Sequence, residues 1–221
     1  MKGQTKIKIG IVGSGNIGAN VARLFARAGQ EIALSNSREG QGLEALLAEL
    51  GGNAKAMTIE DAARFGEVVL VAIPFGKYRT LPVDELKGKV VIDAGNYYPQ
   101  RDGKVAELDN DETTSSELMA SHLKEARLVK GFNTIWSQHL ATQGNTSLPI
   151  EQRRAIFIAG DDLQAKAIVA HLIEEIGFAA VDTGLLREGG RSQQPGTPVY
   201  NKDLTAKEAV ALLSANRIAA K

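Results

Sequence analysis

Residues 6–38 read KIKIGIVGSGNIGANVARLFARAGQEIALSNSR and decide the fold of the chain. The run from Ile7 to Val12 is short, apolar and rich in β-branched residues, which is typical of a strand buried on both faces of a parallel sheet. Apolar residues then recur at helical spacing from Asn16 to Arg27, and a second strand is predicted from Glu31 to Ser35. Strand, helix and strand in this order predict the first βαβ unit of an α/β fold.

Gly13, Gly15 and Gly18 have G-x-G-x-x-G spacing between the first strand and the helix. Glycines at this spacing permit a tight turn, a close approach of the backbone to a pyrophosphate, and close packing of the helix on the strand. The free N–H groups and the positive dipole end of the helix would face the phosphates. A purely structural glycine turn is the alternative, and the surrounding βαβ pattern favours dinucleotide binding.

The residues after the second strand indicate which dinucleotide binds. An NAD site usually carries Asp or Glu there, about 20 residues past the glycines, to bind the ribose 2′-hydroxyl. This chain has Asn36, Ser37 and Arg38 instead. A carboxylate would repel a 2′-phosphate, whereas a hydroxyl and a guanidinium can donate hydrogen bonds to it. The sequence therefore predicts NADP(H), with an ordinary polar turn and a solvated arginine as the alternative.

Further apolar runs predict later strands of the same sheet, among them VVLVAI at 68–73, KVVID at 89–93 and RLVK at 127–130. Ligands of open α/β sheets bind beyond the carboxyl ends of the strands. We therefore expect Pro74, Phe75 and Asn96 near the cofactor. An aromatic covering the core is the alternative for Phe75, and a turn role is the alternative for Asn96. The third loop, predicted as the substrate pocket, consists of Asn133, Thr134, Ile135 and Trp136, the only tryptophan.

The alternation of strands and helices predicts a Rossmann-type α/β fold with a doubly wound, mostly parallel sheet. A polar connection over 144–152 is the best domain boundary. Residues 1–145 would form the dinucleotide-binding domain, and residues 146–221 a smaller C-terminal α/β part that continues the same fold. Asp182 to Asn201, with four glycines and two prolines, is predicted to be a loop.

The bulk composition argues against several function classes. Lys plus Arg and Asp plus Glu both number 26, so the chain lacks the basic excess of a nucleic-acid binder. Without cysteine there is no disulfide, thiolate metal site, iron–sulfur cluster or cysteine nucleophile, and the three histidines lack metal-ligand spacing, so no metal is expected. No hydrophobic signal core opens the sequence, and no apolar run approaches the ~20 residues needed to span a bilayer. We expect a cytoplasmic protein with no membrane partner.

Several segments together resemble the family of coenzyme F-420-dependent NADP reductases and their bacterial relatives: IGIVGSGNIG, SNSR, VAIPF, VIDAGN, KGFNTIW and VDTG with GGRSQQPGTPVYN. This resemblance extends over nearly the whole chain. It implies direct hydride transfer between NADP(H) and a deazaflavin, in a family where a homodimer would be ordinary. It further implies a pyrophosphate site at Gly13, Ser14, Gly15, Asn16 and Ile17, a 2′-phosphate site at Ser37 and Arg38, and a path to the nicotinamide lined by Ile73, Pro74, Ala94, Gly95 and Asn96.

Hydride exchange between a nicotinamide and a deazaflavin needs aligned rings and exclusion of water rather than a strongly tuned acid. No catalytic side chain is therefore predicted. Reduction of a carbonyl would need a proton donor, and Lys130 and Tyr78 stay open for that role. The predicted partner is a small-molecule redox substrate, with flavin, ferric chelates or a quinone as alternative acceptors. A non-catalytic NADPH sensor, whose 182–201 loop would contact a partner, is the alternative from another class.

Overall fold

The structure is a computed structural model and describes residues 6–219. Its strands are β1 Lys8–Val12, β2 Glu31–Ser35, β3 Ala54–Ala56, β4 Val68–Val71, β5 Val90–Asp93, β6 Arg127–Gly131, β7 Ala155–Ala159 and β8 Ala179–Asp182. Its α-helices are α1 Asn16–Arg27, α2 Glu44–Leu50, α3 Ile59–Phe65, α4 Val83–Leu86, α5 Pro99–Asp102, α6 Ala106–Asp109, α7 Ser115–His122, α8 Ser137–Thr142, α9 Leu163–Glu175, α10 Leu186–Ser192 and α11 Ala206–Ala219. Short 3₁₀ turns lie at Gly51–Asn53, Phe75–Thr80 and Ile150–Gln152.

Within this described range the strands form one eight-stranded sheet in the order β3-β2-β1-β4-β5-β6-β7-β8. Every neighbouring pair is parallel except β6 and β7. The first six strands have the order of a dinucleotide-binding sheet, so their carboxyl ends meet at one edge. The predicted fold class, a Rossmann-type and mostly parallel α/β sheet, is confirmed. The same sheet continues past residue 145, and a domain division at that point stays a prediction.

Apolar layers cover both faces of the sheet, which explains the continuous apolar runs in the central strands. Leu70 and Ile92 pack into one layer with Phe25 of α1 and Leu172 of α9. The alternate strand residues, such as Val91, pack into the other layer with α7. A third cluster lies between β7, β8 and α11. The alternation along each strand follows from the two-residue period of strand side chains.

The predicted loop at 182–201 contains a helix, α10, and that part of the prediction is wrong. A Cβ at Gly189 would lie 2.7 Å from Thr183 Oγ1 and 2.8 Å from Ala159 Cβ. This glycine therefore permits close packing of α10 on the ends of β7 and β8, and it does not break the helix. The segment after α10 returns to the carboxyl edge of β1 to β6, where the Asn201 N–H donates to the Thr134 carbonyl at 3.1 Å.

Candidate active site

The glycine loop divides its three functions among its three glycines. Gly13 has a φ of 104° and its N–H donates to the Ser35 carbonyl at 3.1 Å, so it makes the turn and connects it to β2. A Cβ at Gly18 would lie 1.8 Å from the Gly13 carbonyl oxygen, whereas a Cβ at Gly15 would meet nothing within 4 Å. Gly18 thus permits close packing of α1 on the glycine turn. Gly15 leaves open space in which a phosphate group can approach the protein backbone.

Helix α1 begins directly at this open space. No side chain caps its N-terminus and no acidic residue lies in its first turn. Its first N–H groups are therefore free to bind an anion, and the positive end of the helix dipole favours one.

The loop after β2 is shaped by Asn36, which is 9% exposed. Its Oδ1 accepts from the N–H groups of Arg38 at 2.9 Å and Gly40 at 3.0 Å, and its Nδ2 donates to the Gln41 carbonyl at 3.0 Å. Ser37 and Arg38 are exposed. Among the described residues the Arg38 guanidinium has no carboxylate partner. Asn36 thus positions the loop, and the two side chains beyond it stay free to bind a ligand.

A cavity of about 320 Å³ lies at the carboxyl edge of the sheet. It brings together predicted residues from four separate loops: Gly15, Asn16, Ile17, Ile73, Pro74, Ala94, Gly95, Asn96, Asn133, Ile135 and Trp136. Trp136 lies in this lining with 57% of its surface exposed. Gly13, Ser14, Asn36, Ser37 and Arg38 belong to the glycine turn and the neighbouring β2 loop instead of the cavity wall.

Two predicted contacts, those of Phe75 and Thr134, are corrected. The Phe75 ring is 2% exposed and stacks on Tyr78 with centroids 4.8 Å apart, so it covers the core, as the alternative held. The Thr134 side chain is buried as well, and only its carbonyl takes part in the site, as the acceptor for Asn201 N–H. Tyr78 and Lys130, the two residues left open as proton donors, are buried and do not line the cavity.

Lys130 instead belongs to a buried ion pair beneath the Ala94–Asn96 loop. Its Nζ lies 3.4 Å from Asp93 Oδ2 and donates to Ser116 Oγ at 2.9 Å and to the Gly95 carbonyl at 3.0 Å. Asp93 Oδ2 also accepts from Ser116 Oγ at 2.6 Å, and its Oδ1 accepts from the Gly95 N–H at 2.8 Å. Both backbone groups of Gly95 are thus held by one charge pair, which fixes this part of the cavity wall.

Asn96 and Asn133 join two of the loops across the cavity floor. Asn96 Nδ2 donates to the Asn133 carbonyl at 2.9 Å, and Asn133 Nδ2 donates to Asn96 Oδ1 at 3.1 Å and to the Gln193 carbonyl at 2.9 Å. The remaining amide oxygen, Asn133 Oδ1, is buried and has no hydrogen-bond partner in residues 6–219. A buried acceptor without a partner is costly, so this atom is suited to a ligand donor.

The cavity wall also contains residues that the sequence did not reveal: Tyr98, Arg101, Tyr200 and Asn201. The hydroxyls of Tyr98 and Tyr200 are hydrogen bonded to each other. The Arg101 guanidinium lies 4.9 Å from the centroid of the Tyr98 ring and pairs with the Asp102 carboxylate at 2.8 Å. Asp102 also accepts from the Tyr98 N–H at 2.9 Å. Arg101 thus lies in the cavity wall.

Burial and hydrogen bonding shift the pKa of two groups on this wall. Burial raises the pKa of the Tyr200 phenol, and the hydrogen bond with Tyr98 raises it further. Burial also acts to raise the pKa of Asp102, but the hydrogen bonds from Arg101, Tyr98 N–H and Gly76 N–H outweigh it and hold that pKa below its usual value. Tyr200 therefore stays protonated and Asp102 stays ionised at neutral pH.

A family model described as NADP oxidoreductase, coenzyme F420-dependent, matches residues 8–97. This match contains the glycine loop, the β2 loop and the Ala94–Asn96 loop. Metalloreductase STEAP3 from Rattus norvegicus is 28% identical over 183 residues, which is 81% of this chain and 34% of the relative. Metalloreductase STEAP2 from Homo sapiens is 24% identical over 196 residues, or 84% of this chain and 35% of the relative. The chain thus spans about a third of the length of these curated relatives.

Solved structures extend the likeness over nearly the whole chain. A hypothetical protein from Sinorhizobium meliloti matches with a TM-score of 0.77 and 29% identity, and the match covers 92% of this chain and 97% of that one. A candidate F420-dependent NADP reductase from Arthrobacter sp. FB24 matches with a TM-score of 0.69 and 22% identity, over 96% and 92% of the two chains. A reductive aminase from Aspergillus terreus in complex with NADPH shares the fold, with a TM-score of 0.58 and 17% identity over 96% and 62%.

The predicted resemblance to coenzyme F420-dependent NADP oxidoreductases is confirmed for residues 8–97. In the described part of the chain no helix combines the length and apolar character needed to cross a bilayer.

Proposed function

We propose that the chain is an NADP(H)-dependent oxidoreductase that transfers a hydride between NADPH and a flat redox acceptor, with a deazaflavin of the coenzyme F-420 type as the leading acceptor. One observation carries this proposal. An open glycine turn, a β2 loop with no carboxylate at positions 36–38 and a cavity lined by an exposed tryptophan lie along one edge of the sheet.

The near side of this edge fits the diphosphate and 2′-phosphate of NADP(H). The uncapped start of α1 and the open space at Gly15 suit the pyrophosphate. Ser37 and Arg38 are exposed in a loop that Asn36 holds in shape. Two charge-assisted contacts of about 1.5–3 kcal/mol each would favour NADP(H) over NAD(H) by roughly a hundredfold or more.

The nicotinamide end would lie between the Ala94–Asn96 loop and Asn133. The free Asn133 Oδ1 can accept a hydrogen bond from the carboxamide, which has N–H donors. When bound, NADPH supplies a hydride. The chain itself orients the ring and, through Ile73, Ile135 and Trp136, lines the approach with apolar surface.

The second substrate would occupy the rest of the cavity. The whole cavity, with a volume of about 320 Å³, lies at the lower end of the range for ligand pockets, and the nicotinamide and the ring of the acceptor would share it. Among the described residues, Arg101 is the only charged side chain in the lining, and it is already paired with Asp102. Trp136 and Tyr98 provide aromatic surface against which a flat ring can stack.

Reduction of flavin or of a ferric chelate is the second candidate, and the names of the metalloreductase relatives favour the chelate. The chain spans only about a third of those proteins, so metal reduction need not reside in the matching part.

The test uses purified protein with NADPH or NADH and a panel of deazaflavin, flavin and ferric acceptors. We expect NADPH oxidation to be fastest with the deazaflavin and NADH to bind at least ~100-fold more weakly. If turnover is fastest with a ferric chelate, the chelate takes the place of the deazaflavin as the proposed acceptor. Tight NADPH binding without oxidation by any acceptor would favour the sensor function, and absence of NADPH binding would contradict both.

A further inference from the structure

The hydrogen-bonded phenols of Tyr98 and Tyr200 are a chemical group that hydride transfer alone does not use. We propose that Tyr98 is the proton donor of the reaction and that Tyr200 is the residue that positions and supports it. This inference rests on the proposed function and narrows the acceptor class. The carbon that accepts the hydride would be conjugated to a ring nitrogen or a carbonyl oxygen that must gain a proton.

The phenol pair is held from both sides of the cavity. Tyr98 lies at the start of α5, and its N–H donates to Asp102 Oδ2 at 2.9 Å while Arg101 lies over its ring. Tyr200 lies in the returning segment after α10, which Asn201 attaches to the Thr134 carbonyl. Both tyrosines line the cavity and are half-buried. Their hydroxyls meet although 102 positions separate the two residues in the chain.

Either hydroxyl of the pair can be the donor, and the position of Arg101 distinguishes them. Because Arg101 lies over the Tyr98 ring, negative charge is favoured on Tyr98, and we assign the Tyr200 O–H as the donor to the Tyr98 oxygen. The O–H of Tyr98 is then available for a ligand in the cavity. A hydroxyl can accept one hydrogen bond and donate another at the same time.

Tyr98 is also the phenol that can best accommodate negative charge after it loses a proton. The Tyr200 O–H would then donate to a phenolate, and charge-assisted hydrogen bonds are about twice as strong as neutral ones. Arg101 lies over the ring and attracts the same charge. Asp102 opposes it, but that carboxylate is already bound by Arg101 and by two backbone N–H groups. The nearby Asp109 carboxylate accepts from Tyr97.

A hydride and a proton reach the acceptor from two different donors. The acceptor gains a hydride at carbon, hence two electrons and one hydrogen, while NADPH becomes NADP⁺. The Tyr98 O–H bond breaks, and its proton forms a new bond with the conjugated nitrogen or oxygen of the acceptor. Tyr200 keeps its proton, and Tyr98 regains one from water after the product leaves.

The first test needs neither nucleotide nor acceptor. Tyrosinate absorbance of the ligand-free protein is followed during an alkaline titration for Tyr97→Phe and for Tyr97→Phe combined with Tyr98→Phe, because the pKa of Tyr97 is raised as well. One tyrosine of the Tyr97→Phe protein should stay un-ionised when the others have titrated. In the double variant that tyrosine should ionise at lower pH, because a cause of its raised pKa is gone. An unchanged titration of the last tyrosine would overturn the coupled pair and the proposal with it.

The second test measures a single turnover of bound NADPH with a deazaflavin. Tyr98→Phe should slow the step by at least ~100-fold and abolish its solvent deuterium isotope effect, because general acid catalysis typically contributes 10²–10⁴-fold. Tyr200→Phe should lower kcat by about tenfold with KM nearly unchanged. Tyr78→Phe is the matched control, because the Tyr78 hydroxyl has no hydrogen bond within residues 6–219. This variant should keep the wild-type rate.

The outcomes separate the two proposals. A Tyr98→Phe rate within about threefold of the wild type would overturn the proton-donor role and leave the proposed function standing. A wild type that binds NADPH, as judged by quenching of Trp136 fluorescence, but reduces no acceptor would overturn the proposed function and the proton-donor role together. In that case the titration still decides whether the two phenols are coupled.

Discussion

The site has two parts that are built in different ways: a nucleotide wall, formed by the glycine turn and the β2 loop beside the cavity, and an acceptor wall in the cavity itself. On the nucleotide wall, the contacts are local: Gly13 bonds to Ser35, and Asn36 bonds to Arg38 and Gly40. On the acceptor wall, Tyr98 meets Tyr200 and Asn96 meets Asn133, so each contact joins distant parts of the chain. Recognition of the phosphates of the nucleotide is therefore a property of one βαβ unit, whereas recognition of the nicotinamide and of the acceptor depends on the complete tertiary structure.

The largest effect is expected where the acceptor wall depends on buried charge. Lys130→Met leaves Asp93, which is 1% exposed, without its cation, and should destabilise the protein by about 3–5 kcal/mol in urea unfolding. Lys166→Met is the matched control, because its partner Asp182 keeps a 50% exposed side chain that water can solvate. Equal losses in the two variants would show that the charge pair beneath Gly95 has no special role.

Gly15→Val tests whether the nucleotide wall acts locally. Gly15 has an ordinary φ of −69° and open space at its Cβ, so the fold should tolerate valine with a stability change within about 0.5 kcal/mol. The side chain would fill the phosphate approach and weaken both NADPH and NADH by at least ~100-fold, about 2.7 kcal/mol. Titration and thermal melting measure the two quantities. Gly18→Val should instead fail to fold. Unchanged nucleotide binding by Gly15→Val would show that the glycine loop is not part of the nucleotide site.

Arg38→Asp should separate the two nucleotides. A carboxylate would repel the 2′-phosphate, so the Kd of NADPH should rise by roughly a hundredfold while that of NADH changes little. The double replacement of Ser37 and Arg38 by alanine should act in the same direction. Arg27→Asp, the same charge change at the exposed C-terminal end of α1, should leave the NADPH to NADH ratio unchanged. Equal loss of both nucleotides in Arg38→Asp would contradict the 2′-phosphate site.

The smallest effect is expected at Trp136, which concerns only the acceptor. Loss of its ring in Trp136→Ala should raise the KM for the acceptor by about 3–10-fold, the size of a typical aromatic contact. Trp136→Phe should restore most of the affinity. The NADPH affinity, measured from the fluorescence of the nucleotide, should stay within twofold of the wild type. A parallel loss of NADPH affinity would contradict the assignment of Trp136 to the acceptor alone.

The nucleotide wall could be predicted from the sequence because its determinants are close in the chain, and its binding role stays a prediction. The glycine spacing and the absence of a carboxylate at 36–38 require no knowledge of tertiary packing. The fold class followed from strand and helix periodicity for the same reason.

The acceptor wall was only partly predictable. Tyr98 lies two positions after Asn96, and an aromatic so near a strand-end loop was a usable signal. Tyr200 gave none, because its neighbour in space lies 102 positions away. Phe75 was assigned to the cofactor because the sequence does not reveal the orientation of the 3₁₀ turn at Phe75–Thr80, which directs the ring into the core. The helix within 182–201 was missed because the glycines and prolines of this segment indicated a loop, whereas Gly189 permits close packing of that helix.

The contact between Tyr98 and Tyr200 also has a consequence for biosynthesis. A ribosome completes the nucleotide-binding βαβ unit early, and domains generally begin to fold from the N-terminus during synthesis. The acceptor wall cannot close until residue 200 has left the ribosome. A nascent chain could therefore hold NADPH before it can use it, and the capacity for chemistry would be acquired after the capacity to bind the nucleotide.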